Sequence, residues 1–144
     1  MIDRQKIKSK YGGLCAYSGK PLDEKWQVDH IVPVSSIYWS QPMETRKEFG
    51  INAPHKNHID NLVPCISIIN HYKRYFDLEG FRKYLLGFHL RLKKLPKKTN
   101  CPKAKKRIVY MNTIADLFGI SEVIPFRGKF YFETISNDSN NRGS

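Results

Sequence analysis

The chain is expected to be an α+β protein in which a short strand pair runs directly into a helix, with further helices behind it. Three observations carry that expectation. Residues 26–32 alternate and are rich in β-branched side chains, as a half-buried strand does. Residues 66–76 and 78–92 instead repeat their apolar side chains at helical spacing. Strands and helices do not alternate along the chain, which excludes a doubly wound βαβ architecture. A length of 144 residues fits one modest core with a small subsidiary unit.

In order, residues 2–11 predict a short basic helix stopped by Gly12 and Gly13, where a left-handed cap costs little. Residues 14–22 are turn-rich. The first strand, 26–32, ends at Pro33. Residues 37–57 hold Pro42, Gly50 and Pro54 and predict an irregular insert with one helical turn at 44–49. A second strand is predicted at 58–63. A helix at 66–76 follows, with Ile66, Ile69, Tyr72, Tyr75 and Phe76 on its apolar positions. Asp77 then N-caps a helix whose stripe is Leu78, Phe81, Leu85, Phe88 and Leu92, ended by Pro96. A third helix, 107–118, closes at Gly119. Residues 123–135 predict a C-terminal β-hairpin turning at Arg127–Gly128. The expected organisation is a core unit with its flanking helices at 1–95, a basic connector at 96–106, a helix-plus-hairpin subdomain at 107–136, and a polar disordered tail at 137–144.

Charge narrows the partners. Lysine and arginine number 25 against 13 aspartates and glutamates, a net +12 with a pI near 9.7. Such an excess favours nucleic acid or an anionic membrane. The membrane is disfavoured, because no apolar run approaches the roughly 20 residues of a bilayer span. The first ten residues are mixed and charged, without the apolar stretch of a secretory signal. Three widely spaced cysteines, Cys15, Cys65 and Cys101, are no disulfide framework and suit a reducing cytoplasm.

One constellation carries chemistry. Asp29 and His30 stand at the end of the first strand; Asn61 lies near the start of the second; Asn70 and Lys73 lie on the helix after it. Singly each has a plain structural explanation: an Asp-His turn, an Asx-turn at Asn61, solvent-facing residues on a helix. Jointly, three consecutive elements each bring a polar side chain to one end of the unit. Phosphodiester hydrolysis needs a deprotonated water and charge stabilisation on the phosphoryl oxygens. A neutral imidazole takes a proton near pH 7, and a hard divalent cation on oxygen ligands stabilises the oxygens and the leaving group. His30 as base with Asp29 and Asn70 as ligands is such a set.

The run Cys15-Ala16-Tyr17-Ser18-Gly19, then Trp26 through Pro33 with Asp29-His30 inside it, then Asn61-Leu62-Val63-Pro64, then Asn70-His71-Tyr72-Lys73, resembles an HNH endonuclease, in particular the small phage and bacterial type. The resemblance covers residues 10–85. It implies a ββα-metal core and cleavage of DNA to a 5′-phosphate and a 3′-hydroxyl. It assigns His30 as general base and Asp29 as acidic metal ligand. Asn61 becomes the asparagine that ties the loop and orients the histidine, and Asn70 the second ligand. Lys73 matches a basic residue near the scissile phosphate. One divalent ion is implied, Mg2+ or Mn2+ foremost. The departure lies in the structural zinc of many relatives. Where they carry two Cys-x-x-Cys pairs, this chain has Cys15 and Ser18, then Ile66 and Ile69. With only Cys15 in register, no structural zinc is expected. Ile66 and Ile69 are expected to fill its volume, with a Cys15–Cys65 contact open.

The second functional signal is a cationic block: Lys93, Lys94, Lys97, Lys98, Lys103, Lys105, Lys106 and Arg107. It reads either as a solvated linker or as a surface that tracks a phosphate backbone with little base specificity. The aromatics of 126–132 suit core packing better than base stacking. The expected partner is double-stranded DNA, nicked or cut through, with RNA a competing substrate and the protein a monomer or homodimer. The alternative is a nucleic-acid-binding module whose nuclease site has decayed. The cellular setting implied is the cytoplasm of a bacterium or a phage-infected host.

Overall fold

A computed structural model describes residues 2–135. Its elements are α1 (Arg4–Ser9), β1 (Gln27–His30), α2 (Met43–Glu48), β2 (Leu62–Cys65), α3 (Ser67–Lys73), α4 (Leu78–Leu86), α5 (Phe88–Lys93) and α6 (Pro102–Phe118). Short 3-10 turns stand at Ile37–Ser40 and Ile59–Asn61. The α+β class is as expected. The polar tail, residues 137–144, lies outside the described residues.

β1 and β2 pair antiparallel, with Asp29 opposite Val63 and His30 opposite Leu62. Alternation along β1 sends neighbouring side chains to opposite faces. Val28 packs on the small cluster of Ile7, Trp26 and Leu62, so this face is covered by α1. Helix α1 is held in place by Asp3, whose carboxylate accepts from the backbone N–H of Gln5 and Lys6 at its N-terminus. The opposite face of β1, carrying Gln27 and Asp29, meets α3. Since α3 begins two residues after β2, the strand pair and helix form one continuous unit.

Behind α3 lies the main core. It runs from Cys15, Tyr17, Val63 and Ile69 through Phe81, Leu85 and Phe88 to Met111, Ile114, Phe118, Phe126 and Phe130. Residues 107–130 therefore share the core of the strand–helix unit. Each fully buried ring there is worth on the order of 1.5–3 kcal/mol in transfer terms.

Four expectations about elements need correction. The second strand is displaced, to Leu62–Cys65, because His58 caps a 3-10 turn through its ring nitrogen, which accepts from Asp60 N–H at 3.2 Å. The long stripe of 78–92 is two helices, since Gly87 breaks it and serves as the C-cap of α4 and the N-cap of α5. Helix α6 starts at Pro102 rather than at 107, so half of the connector is helical. Proline fits that first position because its missing N–H would have no intrahelical acceptor there. The C-terminal end of α6 is as expected, with Gly119 left-handed at φ 68°.

The C-terminal hairpin is the largest correction. Residues 121–130 are irregular, with bends at 122–124 and 128, and residues 131–135 are helical, with no strand. Pro125 lacks the N–H a ladder would use. The segment instead docks on the 15–19 turn, where Tyr131 N–H donates to Tyr17 C=O and Phe132 N–H to Ala16 C=O, at 3.0 and 2.9 Å. The hydrophobic content that Phe126, Phe130 and Phe132 were expected to bring to a hairpin goes to the core instead. Phe126 and Phe130 are buried and Phe132 packs against them.

Candidate active site

The site sits at the end of β1 where α3 crosses it. Asp29 is buried, and both of its contacts fall on Oδ2. The Tyr17 hydroxyl donates to it at 2.5 Å, and the Lys73 ammonium lies 3.1 Å away. Lys73 also donates to the His30 carbonyl at 3.2 Å. One lysine thus fixes both the carboxylate and the backbone of the next residue. Burial pushes the Tyr17 hydroxyl well above the ordinary phenol range, and the Asp29 charge pushes it further. It stays a donor. A buried pair of this kind is held by geometry as much as by charge, because its attraction must offset desolvation of both ions.

That arrangement corrects the expected place of Lys73. Its side chain is 1% exposed, so the ammonium supports the site from beneath instead of standing at a bound phosphate. Lys73 still lines a cleft of about 290 Å³ together with Asp29 and His30, and the exposed cation at that cleft is its neighbour Arg74. Arg74 has φ 52° and ψ −120°, a conformation that side-chain-bearing residues rarely adopt. α3 ends there, and the following Tyr75 is left exposed.

His30 closes the strand with its ring partly exposed; its Nε2 lies 2.9 Å from Asn57 Oδ1. In the tautomer with hydrogen on Nε2 the ring donates to that amide oxygen, and Nδ1 is its other nitrogen. Asn61 is buried and braces the base of the insert. Its Oδ1 accepts from Val32 N–H, and its Nδ2 donates to the carbonyls of Val32 and Lys56. Its own carbonyl accepts from Ile31 N–H at 2.9 Å. Asn70 donates through Nδ2 to Gln27 Oε1 at 2.7 Å, two residues before Asp29 on the same strand face. Its amide oxygen is the atom left for another partner.

Two residues of the site were given no role in the sequence reading. Tyr17 belongs to a turn that looks local until it docks under β1. Asn57 sits in the irregular insert, where no periodicity marks it. The remaining histidines of the insert, His55 and His58, pack edge to face with ring centroids 5.6 Å apart.

Below the site, Cys15, Cys65, Ile66 and Ile69 share the buried core. The two thiols are in contact and unbonded. Cys65 beside it, with smaller help from Ser18, holds the Cys15 thiol down to about 6 against the opposing effect of burial. Burial pushes Cys65 itself well up.

The cationic block divides in three, with Lys97 and Lys98 exposed in the connector between α5 and α6. Lys93 and Lys94 end α5, where positive charge suits the helix dipole. Lys103, Lys105, Lys106 and Arg107 are exposed on the first turns of α6, where it does not, and no acidic residue stands in that first turn to compensate. Among the described residues none of the eight cations forms an ion pair. The placement of Lys103, Lys105, Lys106 and Arg107 at the positive end of the α6 dipole is unfavourable for the helix itself. The block does not line the Asp29–His30 cleft.

No family model, no characterised protein and no solved structure matches the chain. Among the described residues no helix is long and apolar enough to cross a membrane.

Proposed function

We propose that the chain is a metal-dependent endonuclease of the HNH type that hydrolyses phosphodiester bonds in DNA. The observation that supports it most is the packing of α3 along β1, with Asp29 and His30 toward the strand's end and Asn70 at its start, against Gln27. There His30 is held by Asn57, the loop behind it is braced by Asn61, and Asp29 and Asn70 stand on facing elements.

The donor types suit a hard cation, with Asp29 Oδ1 and Asn70 Oδ1 the oxygens not engaged by Lys73, Tyr17 or Gln27. One carboxylate and one amide oxygen match the sparse protein shell of Mg2+, which relies on substrate phosphate and water for the rest. Among the described residues no three His, Cys, Asp or Glu side chains form a cage, so the protein's share is limited to Asp29 and Asn70. The ion, when bound, would polarise the phosphoryl oxygens and stabilise the departing alkoxide. This chain's own residues do the remainder. His30 Nδ1 takes the proton of the attacking water while Asn57 holds the ring through Nε2. Tyr17 and Lys73 hold Asp29 in place, and Lys73 also cancels part of its charge before substrate arrives. The lysines and Arg107 of α6 carry the neighbouring duplex by its backbone.

A nucleic-acid-binding module with an inactive site is the second reading. The Asp29–Lys73 pair favours it, because it gives Asp29 a structural reason to exist. A plasmid-nicking assay with Mg2+ or Mn2+, run beside His30→Ala, separates the two. Metal-dependent nicking that disappears in His30→Ala is the expected result. Binding without nicking in either protein would leave the module. Neutralising Lys103, Lys105 and Lys106 together should weaken binding and flatten its salt dependence; an unchanged salt slope would reduce the block to a linker.

A further inference from the structure

We propose that the cleft between the end of α3 and the middle of α6 receives one unpaired nucleotide of the substrate strand. The base would lie against His71 and Tyr110, and its phosphates between Arg74 and Arg107. The inference rests on the nuclease reading only in naming DNA as the ligand.

The cleft measures about 340 Å³, within the roughly 300–1,000 Å³ of pockets that hold small ligands. Its walls are aromatic and cationic, and none of its lining residues is a carboxylate. His71 and Tyr110 make an L-shaped corner. Their rings stand at 85° with centroids 5.8 Å apart, and a 2.8 Å hydrogen bond between Nδ1 and the phenol oxygen locks them. Such a corner offers a base one ring to stack on and one edge to meet. His71 is exposed, and Tyr84 adds a further exposed ring at the cleft.

The charges are placed for a backbone. Arg74 and Arg107 are exposed, and neither forms an ion pair among the described residues. Arg74 borders both this cleft and the Asp29–His30 cleft, so the two adjoin at that residue. Arg107 continues the track to the exposed lysines of α6. A duplex keeps its bases stacked inside, out of reach of this corner, whereas an unpaired base presents a free face. The combination of ring corner and flanking guanidinium groups therefore fits a nucleotide out of the helix better than backbone contact alone.

The test uses the full chain in EDTA, so that no cleavage intervenes, and measures binding by fluorescence anisotropy. The probes are a labelled DNA single strand, an RNA strand of the same sequence, a blunt DNA duplex, and that duplex with one unpaired nucleotide. The parent protein should bind the single strand and the bulged duplex more tightly than the blunt duplex. His71→Leu should lose that preference, about tenfold from the single strand and nothing from the blunt duplex. Tyr110→Phe, which keeps the ring, should retain most of it. Arg74→Gln and Arg107→Gln should each lower the salt slope by about one. Tighter binding of the RNA strand would keep the cleft as a nucleotide site and move the substrate from DNA to RNA. Equal affinity of the parent for all DNA forms, or a His71→Leu profile identical to the parent's, overturns the proposal. Nicking that survives such a result would leave the nuclease reading standing, so the two failures are distinguishable.

Discussion

On one side of Tyr17 the hydroxyl reaches Asp29 and, through it, Lys73; on the other the ring meets Phe81 edge-on at 5.7 Å and Phe130 at 5.2 Å. Both regions are buried, and they are only one side chain apart. The polar one is directional: each atom has a named partner, and Asp29 and the His30 carbonyl take their positions from it. The aromatic one is collective, since Phe81, Phe118, Phe126 and Phe130 each touch several rings and no single contact sets the geometry. Stability can be distributed over the second region. The first must be right at every atom.

The sharpest way to break that contrast is Lys73→Met. Asp29 would be left buried without its cation, at a cost of about 3–5 kcal/mol, read from urea denaturation. Adding Asp29→Asn should recover part of the loss; no recovery would mean that Lys73 acts by packing alone. Tyr17→Phe removes a hydrogen bond to a charged acceptor and should cost about 1.5–3 kcal/mol by the same measurement. It should also slow nicking, because the carboxylate loses one of its two guides. Phe130→Leu, on the aromatic side, should cost about 1–2.5 kcal/mol in lost volume and ring contacts and leave nicking unchanged. A larger loss there than in Lys73→Met would invert the comparison.

The smallest effect belongs to the tie between α4 and the segment after residue 130. Arg82 makes a two-pronged contact with Glu133, both bonds at 2.7 Å. Burial alone would raise the Glu133 carboxyl, but the Arg82 bonds outweigh it and hold the group below its ordinary 4.5. A lowered folded value means the contribution is complete above about 4.5 and disappears as pH falls through the folded one. It should amount to no more than about 1 kcal/mol. Thermal denaturation at pH 6 and pH 3, beside Glu133→Gln, checks it: the variant should lose less than the parent on acidification.

Much of this was legible in the sequence for reasons that differ by element. Asp77 announced the start of α4 because a capping carboxylate before an amphipathic stripe is a local signal, and its side chain does accept from Gly80 N–H at 2.7 Å. Gly119 marked the end of α6 in the same local way. The residues of the candidate site could be named because they lie on consecutive elements. What could not be read was anything set by contact across the chain. Lys73 looks like any helix lysine until α3 is laid over β1 and its ammonium is enclosed. Tyr17 and Asn57 have no pattern of their own. The 123–135 segment alternates as a strand does, yet it finds its hydrogen bonds on the 15–19 turn, a partner more than 100 residues away. Gly87 sits inside an unbroken apolar stripe, so periodicity alone joins two helices that the backbone separates.

Asn61 has a consequence for how this surface can change. Its side chain clasps Val32 at the outgoing end of the excursion between the strands and Lys56 near the returning end. Whatever hangs beyond that clasp, α2 included, is a pendant whose length and composition do not enter the strand pairing. Its first residues, Pro33 to Ser35, line the His30 cleft, whereas its outer part lies outside the strand register, so the outer part is where length can change without disturbing the strands that hold His30.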